Sequence, residues 1–229
     1  MRSARCRVRT VVRVRGRPGG TAAWRRTVAD AAPPLAAAPA AVELRFGTAP
    51  RQFVDLDTVT ESTVAGLRDA GWWGRGFGGL EVLLATRAVA PRPGLLARTT
   101  TPAALRRRRP PGPIAAEVAA AVAPRQRLAA KRAWRDDVAA AWGSRPPLTG
   151  PVWADVALAT RGSLLAPVEV VLDGLEPVLG RDPRGRAAQE FFPADDRIVW
   201  LRLRRAAPAA PGVVLRLGSA ADGTGRGVG

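Results

Sequence analysis

The chain has 229 residues, 47% of them hydrophobic, which is enough for one large core or two small ones. It carries 36 Lys and Arg against 19 Asp and Glu, and this formal net charge of +17 predicts a polyanionic partner, with nucleic acid first. The absence of His and the single Cys exclude Ser-His-Asp catalysis, an imidazole-ligated zinc site and an intrachain disulfide.

The arginine excess also has a simpler explanation. Lys131 is the only lysine, and an excess of Ala, Arg, Gly and Pro is what the codon usage of a GC-rich genome produces. An anionic membrane surface is the weaker alternative partner because no basic amphipathic helix stands out. The longest uncharged run, 31–42, contains three prolines and is shorter than the ~18 residues that span a bilayer. With no signal-peptide pattern either, we expect a cytoplasmic, nucleoid-associated bacterial protein that does not enter membranes.

The first part of the chain alternates strands and helices. Residues 7–15 have the alternation of a half-exposed strand, and 21–32 read as a helix started by Thr21. A core strand at 42–46 leads to an amphipathic helix that ends near residue 70, and a third strand follows at 80–86. These patterns predict a first α/β unit over residues 1–90.

The composition changes after this unit. Residues 91–113 are rich in Pro and Arg and predict a linker. A second unit over 114–217 would contain strands at 114–122 and 152–158 and helices around Trp134 and over 167–179, although the Ala-rich segment 114–122 would also suit a helix. Its last two strands, 198–203 and 212–217, are expected to pair with each other. The Gly-rich tail 218–229 is expected to be disordered.

Two acidic motifs stand next to helices or strands. Asp55 and Asp57 lie two residues apart at the start of the first amphipathic helix, so both can project to one side. Asp195 and Asp196 open the strand at 198–203. Such carboxylates can hold a hard cation, but Asp at a helix start more often serves as an N-cap, and acids beside an edge strand blunt it.

The two units repeat one order of elements. The segment around Trp24 is echoed around Trp134, and the core strands that begin at 42 and 152 are separated by the same length of chain. The central helices, aligned on Gly66 and Gly174, have a slightly shorter separation, a difference that a loop can absorb. In this alignment Ser163 and Leu165 stand where Asp55 and Asp57 stand in the first unit. Chance similarity in an Ala- and Arg-rich chain is the alternative.

The first acidic motif carries a family resemblance. Asp55-Leu56-Asp57, a helix with Leu67, and then Ala70-Gly71-Trp72-Trp73 resemble the central motif of the RusA family of Holliday junction resolvases. Thr58 replaces the family's Asn, and Glu61 and Glu169 stand where the family has a Lys. The family's Asp-Asp pair is Gly78-Gly79 in the first unit and Asp195-Asp196 in the second, so each unit retains the acidic motif that the other lacks.

The resemblance implies a fold and an activity. It implies an α+β (α/β) fold of two tandem RusA-like units, each a small mixed sheet with helices packed on it, forming a pseudo-dimer within a monomeric chain. The implied activity is cleavage of branched DNA, with Mg²⁺ or Mn²⁺ held by carboxylates of both units. The metal-binding and catalytic residues would be Asp55, Asp57, Asp195 and Asp196. Residues expected to bind the DNA backbone are Arg106, Arg107, Arg108, Arg109, Arg125, Arg127, Lys131, Arg181, Arg184 and Arg186.

Two other functions remain open on the sequence. The chain can be a catalytically degenerate relative that binds nucleic acid or serves as a structural module. It can also be a basic DNA- or RNA-associated protein in which arginine alone does the binding. Metal dependence separates the first hypothesis from both, whereas salt-sensitive binding fits all three.

Overall fold

The computed structural model describes residues 10–50, 52, 54–74, 77, 79–121, 127–185, 189–207 and 212–220. Eight strands form one mixed sheet in the order β1-β4-β2-β3-β7-β6-β8-β5. The strands are β1 Val11–Arg15, β2 Ala41–Thr48, β3 Val82–Val89, β4 Gly94–Thr100, β5 Ala116–Ala120, β6 Val152–Leu158, β7 Ile198–Arg205 and β8 Val213–Ser219. The helices are α1 Ala22–Ala31, α2 Leu56–Asp69, α3 Pro102–Arg106, α4 Leu128–Trp142, α5 Val168–Asp173 and α6 Glu176–Leu179, and Asp195–Arg197 form a 3₁₀ turn. The α+β prediction is confirmed.

The two halves of the sheet repeat one pairing pattern. In the first half β1 and β2 pair with β4 antiparallel, and β2 pairs with β3 parallel. In the second half β5 and β6 pair with β8 antiparallel, and β6 pairs with β7 parallel. The antiparallel pair of β3 with β7 joins the halves. Counted inwards from the two edges of the sheet, β1 corresponds to β5, β4 to β8, β2 to β6 and β3 to β7.

Most of the core lies on the side of the sheet that carries the larger helices. Alternate residues of the strands, such as Val42, Leu44, Leu201 and Leu203, face it and are fully buried. In each half an indole hydrogen bond joins two helices, α1 with α2 in the first half and α4 with α5 in the second. The Trp24 indole on α1 donates to the Thr63 hydroxyl on α2 at 2.9 Å, and the Trp134 indole on α4 donates to the Val171 carbonyl on α5 at 2.9 Å. In the sequence alignment of the two units, Trp24 corresponds to Trp134 and Thr63 corresponds to Val171.

The opposite side of the sheet carries α3 and a row of charges. Across the eight strands the register aligns, in order, Val11, Arg98, Glu43, Leu84, Arg202, Asp155, Arg216 and Glu117. Glu43 binds Arg98 and Arg45, and Asp155 binds Arg202 and Arg204. Glu43 and Asp155 are both 2% exposed, so each buried carboxylate is neutralised by two guanidinium groups.

Several sequence expectations require correction. The range 91–113 contains β4 and α3 and is therefore part of the sheet and its cover rather than a plain linker. The expected pairing of 198–203 with 212–217 is wrong, because β6 lies between β7 and β8. The helix over 167–179 is broken by Gly174 into α5 and α6. Strand β8 reaches Ser219, inside the range expected to be a tail.

Two expectations fall partly outside the described residues. Residues 7–9 of the first expected strand and 221–229 of the expected tail lie beyond the described ranges. No helix in the described ranges combines the length and the apolar character needed to span a bilayer.

Candidate active site

The candidate site lies where β3 ends and β7 begins, beside the first turn of α2. Asp55 is the N-cap residue of α2, yet its side chain makes no capping hydrogen bond, and Asp57 lies in the first turn of the helix. Asp195 and Asp196 lie in the 3₁₀ turn that leads into β7. A strand end of the first half and a strand start of the second therefore bring the two acidic motifs to one place.

The charges of these carboxyl groups act on one another. Burial first, and then the carboxylates of Asp57 and Asp55, raise the pKa of Asp195 to about 8. Burial and the charge of Asp55 raise the pKa of Asp57 to about 6, although backbone N–H groups at the helix start act in the opposite direction. Burial and the charge of Asp196 raise the pKa of Asp55. The four acids thus form one cluster in which negative charge is incompletely compensated.

Two arginines border this cluster. The Arg87 guanidinium, at the end of β3, donates to the Val54 carbonyl at 2.5 Å and to the carbonyl of Asp196. It therefore holds together the two backbone segments that carry the acids, one from each half. Arg184 lies 3.0 Å from a carboxylate oxygen of Asp196 and also binds the buried Asp182, and the Arg184 bond keeps the pKa of Asp182 low.

A cavity of about 140 Å³ adjoins the cluster between α2 and the segment before α5. Asp57, Glu61 and Glu169 line it together with the apolar residues Leu165, Val168, Leu201 and Leu203. Thr60 also lines it, and its hydroxyl is buried without a hydrogen-bond partner in the described part of the chain. An unpartnered buried hydroxyl beside clustered carboxylates is an environment that favours a hydrated cation.

The donor set fits a hard cation in its chemistry. Carboxylate and hydroxyl oxygens are the ligands that Mg²⁺ and Mn²⁺ accept, and a bound cation would relieve the mutual repulsion of the acids. Within the described ranges, however, no three acidic or cysteine side chains are arranged as ready ligands of one ion. Charge acts over longer distances than the ~2.1 Å of a Mg²⁺–oxygen bond, so side chains of the cluster would have to rotate to coordinate an ion directly.

The predicted DNA-binding residues have several environments. Arg106 pairs with Glu81 at 3.1 Å, Lys131 with Asp173 at 2.6 Å and Arg181 with Glu176 at 3.4 Å, so these cations are partly neutralised. Arg125 and Arg186 lie outside the described residues. Arg107, Arg108, Arg109 and Arg127 are exposed and form no ion pair with any described carboxylate. The exposed positive charge of the predicted set is thus concentrated in the run that follows α3.

The arginine run has a fixed backbone, although the sequence pointed to an irregular linker. Arg202 on β7 donates to the carbonyls of Leu105, Arg106 and Arg108 at 3.2, 3.1 and 2.8 Å. The same guanidinium binds the buried Asp155, so the charge row of the sheet anchors the run.

Sequence reasoning overlooked Arg87. Its one visible signal is its position, because a single arginine close to the end of an otherwise apolar strand is costly to bury without a specific partner.

Comparison with protein-family models and with curated protein sequences gave no match for this chain.

Proposed function

We propose that the chain is a metal-dependent endonuclease that acts on branched DNA and resembles the RusA resolvases. One observation carries the proposal: Arg87 binds the carbonyl of Val54, next to Asp55, and the carbonyl of Asp196, so the acidic motifs of the two halves lie at one place, where the charges of Asp55 and Asp57 act on Asp195. The tandem arrangement would then replace two subunits by two halves of a single cytoplasmic chain, and the repeated strand pairing supports this reading.

The four acids would hold Mg²⁺ or Mn²⁺, which when bound supplies Lewis-acid activation of water and of the scissile phosphate. Arg87 fixes the backbone on both sides of the cluster, so that the carboxylates of the two halves keep their relative positions. The exposed arginines after α3 and Arg127 would bind the phosphate backbone, contacts that position the DNA without reading its sequence.

A catalytically inactive nucleic-acid-binding protein is the second candidate, and Arg184 favours it. Its guanidinium already neutralises Asp196, and the described residues contain no ready three-carboxylate ligand set. In that case the acid cluster would be a structural ion-pair network, and the exposed arginines alone would carry the function.

Cleavage of a labelled four-way junction separates these functions. Wild type, Asp57→Asn and Asp196→Asn are compared in Mg²⁺, in Mn²⁺ and in chelator, with linear duplex as the reference substrate. We expect metal-dependent cutting of the junction that both substitutions reduce at least about 100-fold while junction binding is kept. Asp136→Asn is the matched control, since this aspartate has a side chain 74% exposed on α4 and should cut normally.

Tight junction binding without cutting in either metal would favour the inactive binding protein. If neither DNA binds, the arginine excess reflects codon usage and the proposal fails. Retained cutting in both aspartate variants would overturn the composite site.

A further inference from the structure

The repeated architecture places a second location equivalent to the candidate site on the other half of the molecule. Arg205, at the end of β7, corresponds to Arg87 at the end of β3. The Arg205 guanidinium donates to the carbonyls of Gly162 at 2.8 Å and Leu80 at 2.9 Å and to that of Thr160. The alignment of the two central helices makes Gly162 the counterpart of Val54, whose carbonyl Arg87 binds.

Both arginines therefore make the same kind of bridge. Each binds a carbonyl that precedes the central helix of its own half and a carbonyl near the start of the central strand of the other half. The backbone scaffold of the candidate site is thus present twice, related by the exchange of β3 with β7.

The side chains at the two locations differ in chemistry. Where the first location has Asp55 and Asp57, the second has Ser163 and Leu165. Where the first has Asp195 and Asp196, the second has a stretch of sequence without a carboxylate, Phe77-Gly78-Gly79-Leu80. All four acidic positions of one location are non-acidic at the other.

The acids that remain nearby do not restore the second location. Glu81 follows Leu80 directly, but its carboxylate pairs at 3.1 Å with Arg106 of α3, the helix that lies on the opposite side of the sheet from α2. Glu169 lines the same cavity as Glu61, its counterpart in the first half, so this pair does not distinguish the two locations. Leu165 contributes a hydrocarbon side chain to that cavity where Asp57 contributes a carboxylate.

From this asymmetry we infer that each chain makes a single incision: the product is DNA nicked in one strand, and paired cutting of two strands does not occur in one binding event. The inference rests on the proposed nuclease function. Each hydrolysis adds one water across one P–O bond, so one strand gains a phosphate monoester end and a hydroxyl end while the other strand stays intact. Equivalent halves with two acid clusters would instead cut two strands of a bound junction.

A supercoiled plasmid that extrudes a cruciform tests this inference. The protein in excess is allowed to bind in Ca²⁺, and Mg²⁺ is then added together with a large excess of unlabelled junction that traps any protein that dissociates. We expect open circles from the first turnover and less than about one tenth of that amount as linear plasmid. Without the trap, linear plasmid should form later, at a rate that depends on protein concentration because a second chain must bind.

Linear plasmid that forms at the same rate as open circles in the presence of the trap would overturn the inference and leave the nuclease proposal intact. Failure to convert the plasmid at all, with junction binding retained, would instead refute the nuclease proposal and this inference with it. Gel filtration of the protein–junction complex at the assay concentration measures how many chains bind one junction. We expect one chain, and a complex of two chains would overturn the inference that one binding event cuts only one strand, because it brings two acid clusters to the junction.

A second readout does not require cleavage. If only one location holds acids that bind a divalent cation, Ca²⁺ should raise the melting temperature of wild type and have no effect on the Asp195→Asn/Asp196→Asn double variant. The double variant folds with fewer repelling charges, so its melting temperature in chelator reports whether the fold is intact. Ca²⁺-dependent stabilisation that persists in the folded double variant would contradict a single metal-binding location.

Discussion

Arg87 and Arg205, one in each half of the chain, each donate hydrogen bonds to backbone carbonyls of both halves of the molecule. They lie at the ends of the two central strands, which pair antiparallel with each other. Asp55 and Asp196 act on the charge of Arg87, whereas Arg205 forms no ion pair with a carboxylate in the described part of the chain. Both arginines therefore have a structural role, and Arg87 alone of the two also borders the candidate site.

We expect Arg87→Gln and Arg205→Gln to lower stability by similar amounts, about 1–3 kcal/mol, since each removes two or more hydrogen bonds to backbone carbonyls, most of them partly buried. Only Arg87→Gln should reduce junction cleavage, by at least ten-fold at a temperature where both variants are folded. Urea denaturation and the junction assay provide the two measurements. Equal losses of cleavage in both variants would mean that the arginines act only through the fold.

Two threonines on α2 offer an isosteric comparison. The Thr63 hydroxyl accepts the indole hydrogen bond of Trp24 at 2.9 Å, whereas the Thr60 hydroxyl is buried with no partner within the described ranges. Thr63→Val should cost about 1–3 kcal/mol because it leaves the buried indole unpaired, and Thr60→Val should be neutral or stabilise by about 1 kcal/mol. Urea midpoints of the two variants measure the difference. A loss in Thr60→Val as large as that in Thr63→Val would show that the Thr60 hydroxyl has a partner, such as an ordered water or ion.

In the row of charges on the side of the sheet opposite the larger helices, the loss of stability on removing an acid should depend strongly on how buried that acid is. Asp155 has a side chain only 2% exposed and binds Arg202, so Asp155→Ala should cost about 3–5 kcal/mol by leaving a buried guanidinium uncompensated. Glu117 lies in the same row at the edge of the sheet and is 48% exposed, so Glu117→Ala should cost less than about 1 kcal/mol. Similar denaturation midpoints for the two variants would contradict the assigned burial of the row.

The Asp155 network also explains which parts of the fold the sequence predicts. The apolar character of β2 and β6 and the N-cap residue Thr21 of α1 predict two strands and a helix close to where they lie. The sequence pattern does not reveal that Arg202 and Asp155 face each other, because this contact depends on which strands are neighbours in the sheet. For the same reason β8 was expected beside β7, whereas β6 separates them.

The candidate site was predictable in its residues and less so in its surroundings. Acids spaced like Asp55 and Asp57 at a helix start, and the complementary pair Asp195 and Asp196, are visible in the sequence, and Arg87 joins the two backbone segments that carry them. The bridge from Arg87 to backbone carbonyls was not predictable, since a carbonyl partner leaves no signature in the side-chain sequence. The ion pair of Arg184 with Asp196 joins residues whose contact depends on the fold of the intervening turn.

The raised pKa of Asp195 predicts how stability depends on pH. Its pKa is about 8 in the folded protein, mainly through burial, and near the ordinary aspartate value of ~4 when unfolded. Between these values the folded chain binds more protons than the unfolded chain, so the contribution of this group is fully present below about pH 4 and is lost as the pH rises towards 8. Asp195→Asn removes the ionisation. We therefore expect the variant in chelator to melt at least about 3 °C above wild type at pH 8, and the gain to shrink as the pH is lowered towards 5.

The melting temperatures of wild type and Asp195→Asn show whether the carboxylates of the cluster repel one another. Melting curves of wild type and Asp195→Asn are recorded between pH 5 and 8.5 in chelator, with Asp136→Asn as the exposed control whose melting temperature should follow wild type. Addition of Mg²⁺ should narrow the gap between Asp195→Asn and wild type at pH 8, because a cation compensates the charge that the substitution removes. An Asp195→Asn variant that is less stable than wild type at pH 8 in chelator would show that the carboxylate is stabilised by partners rather than repelled by Asp57 and Asp55.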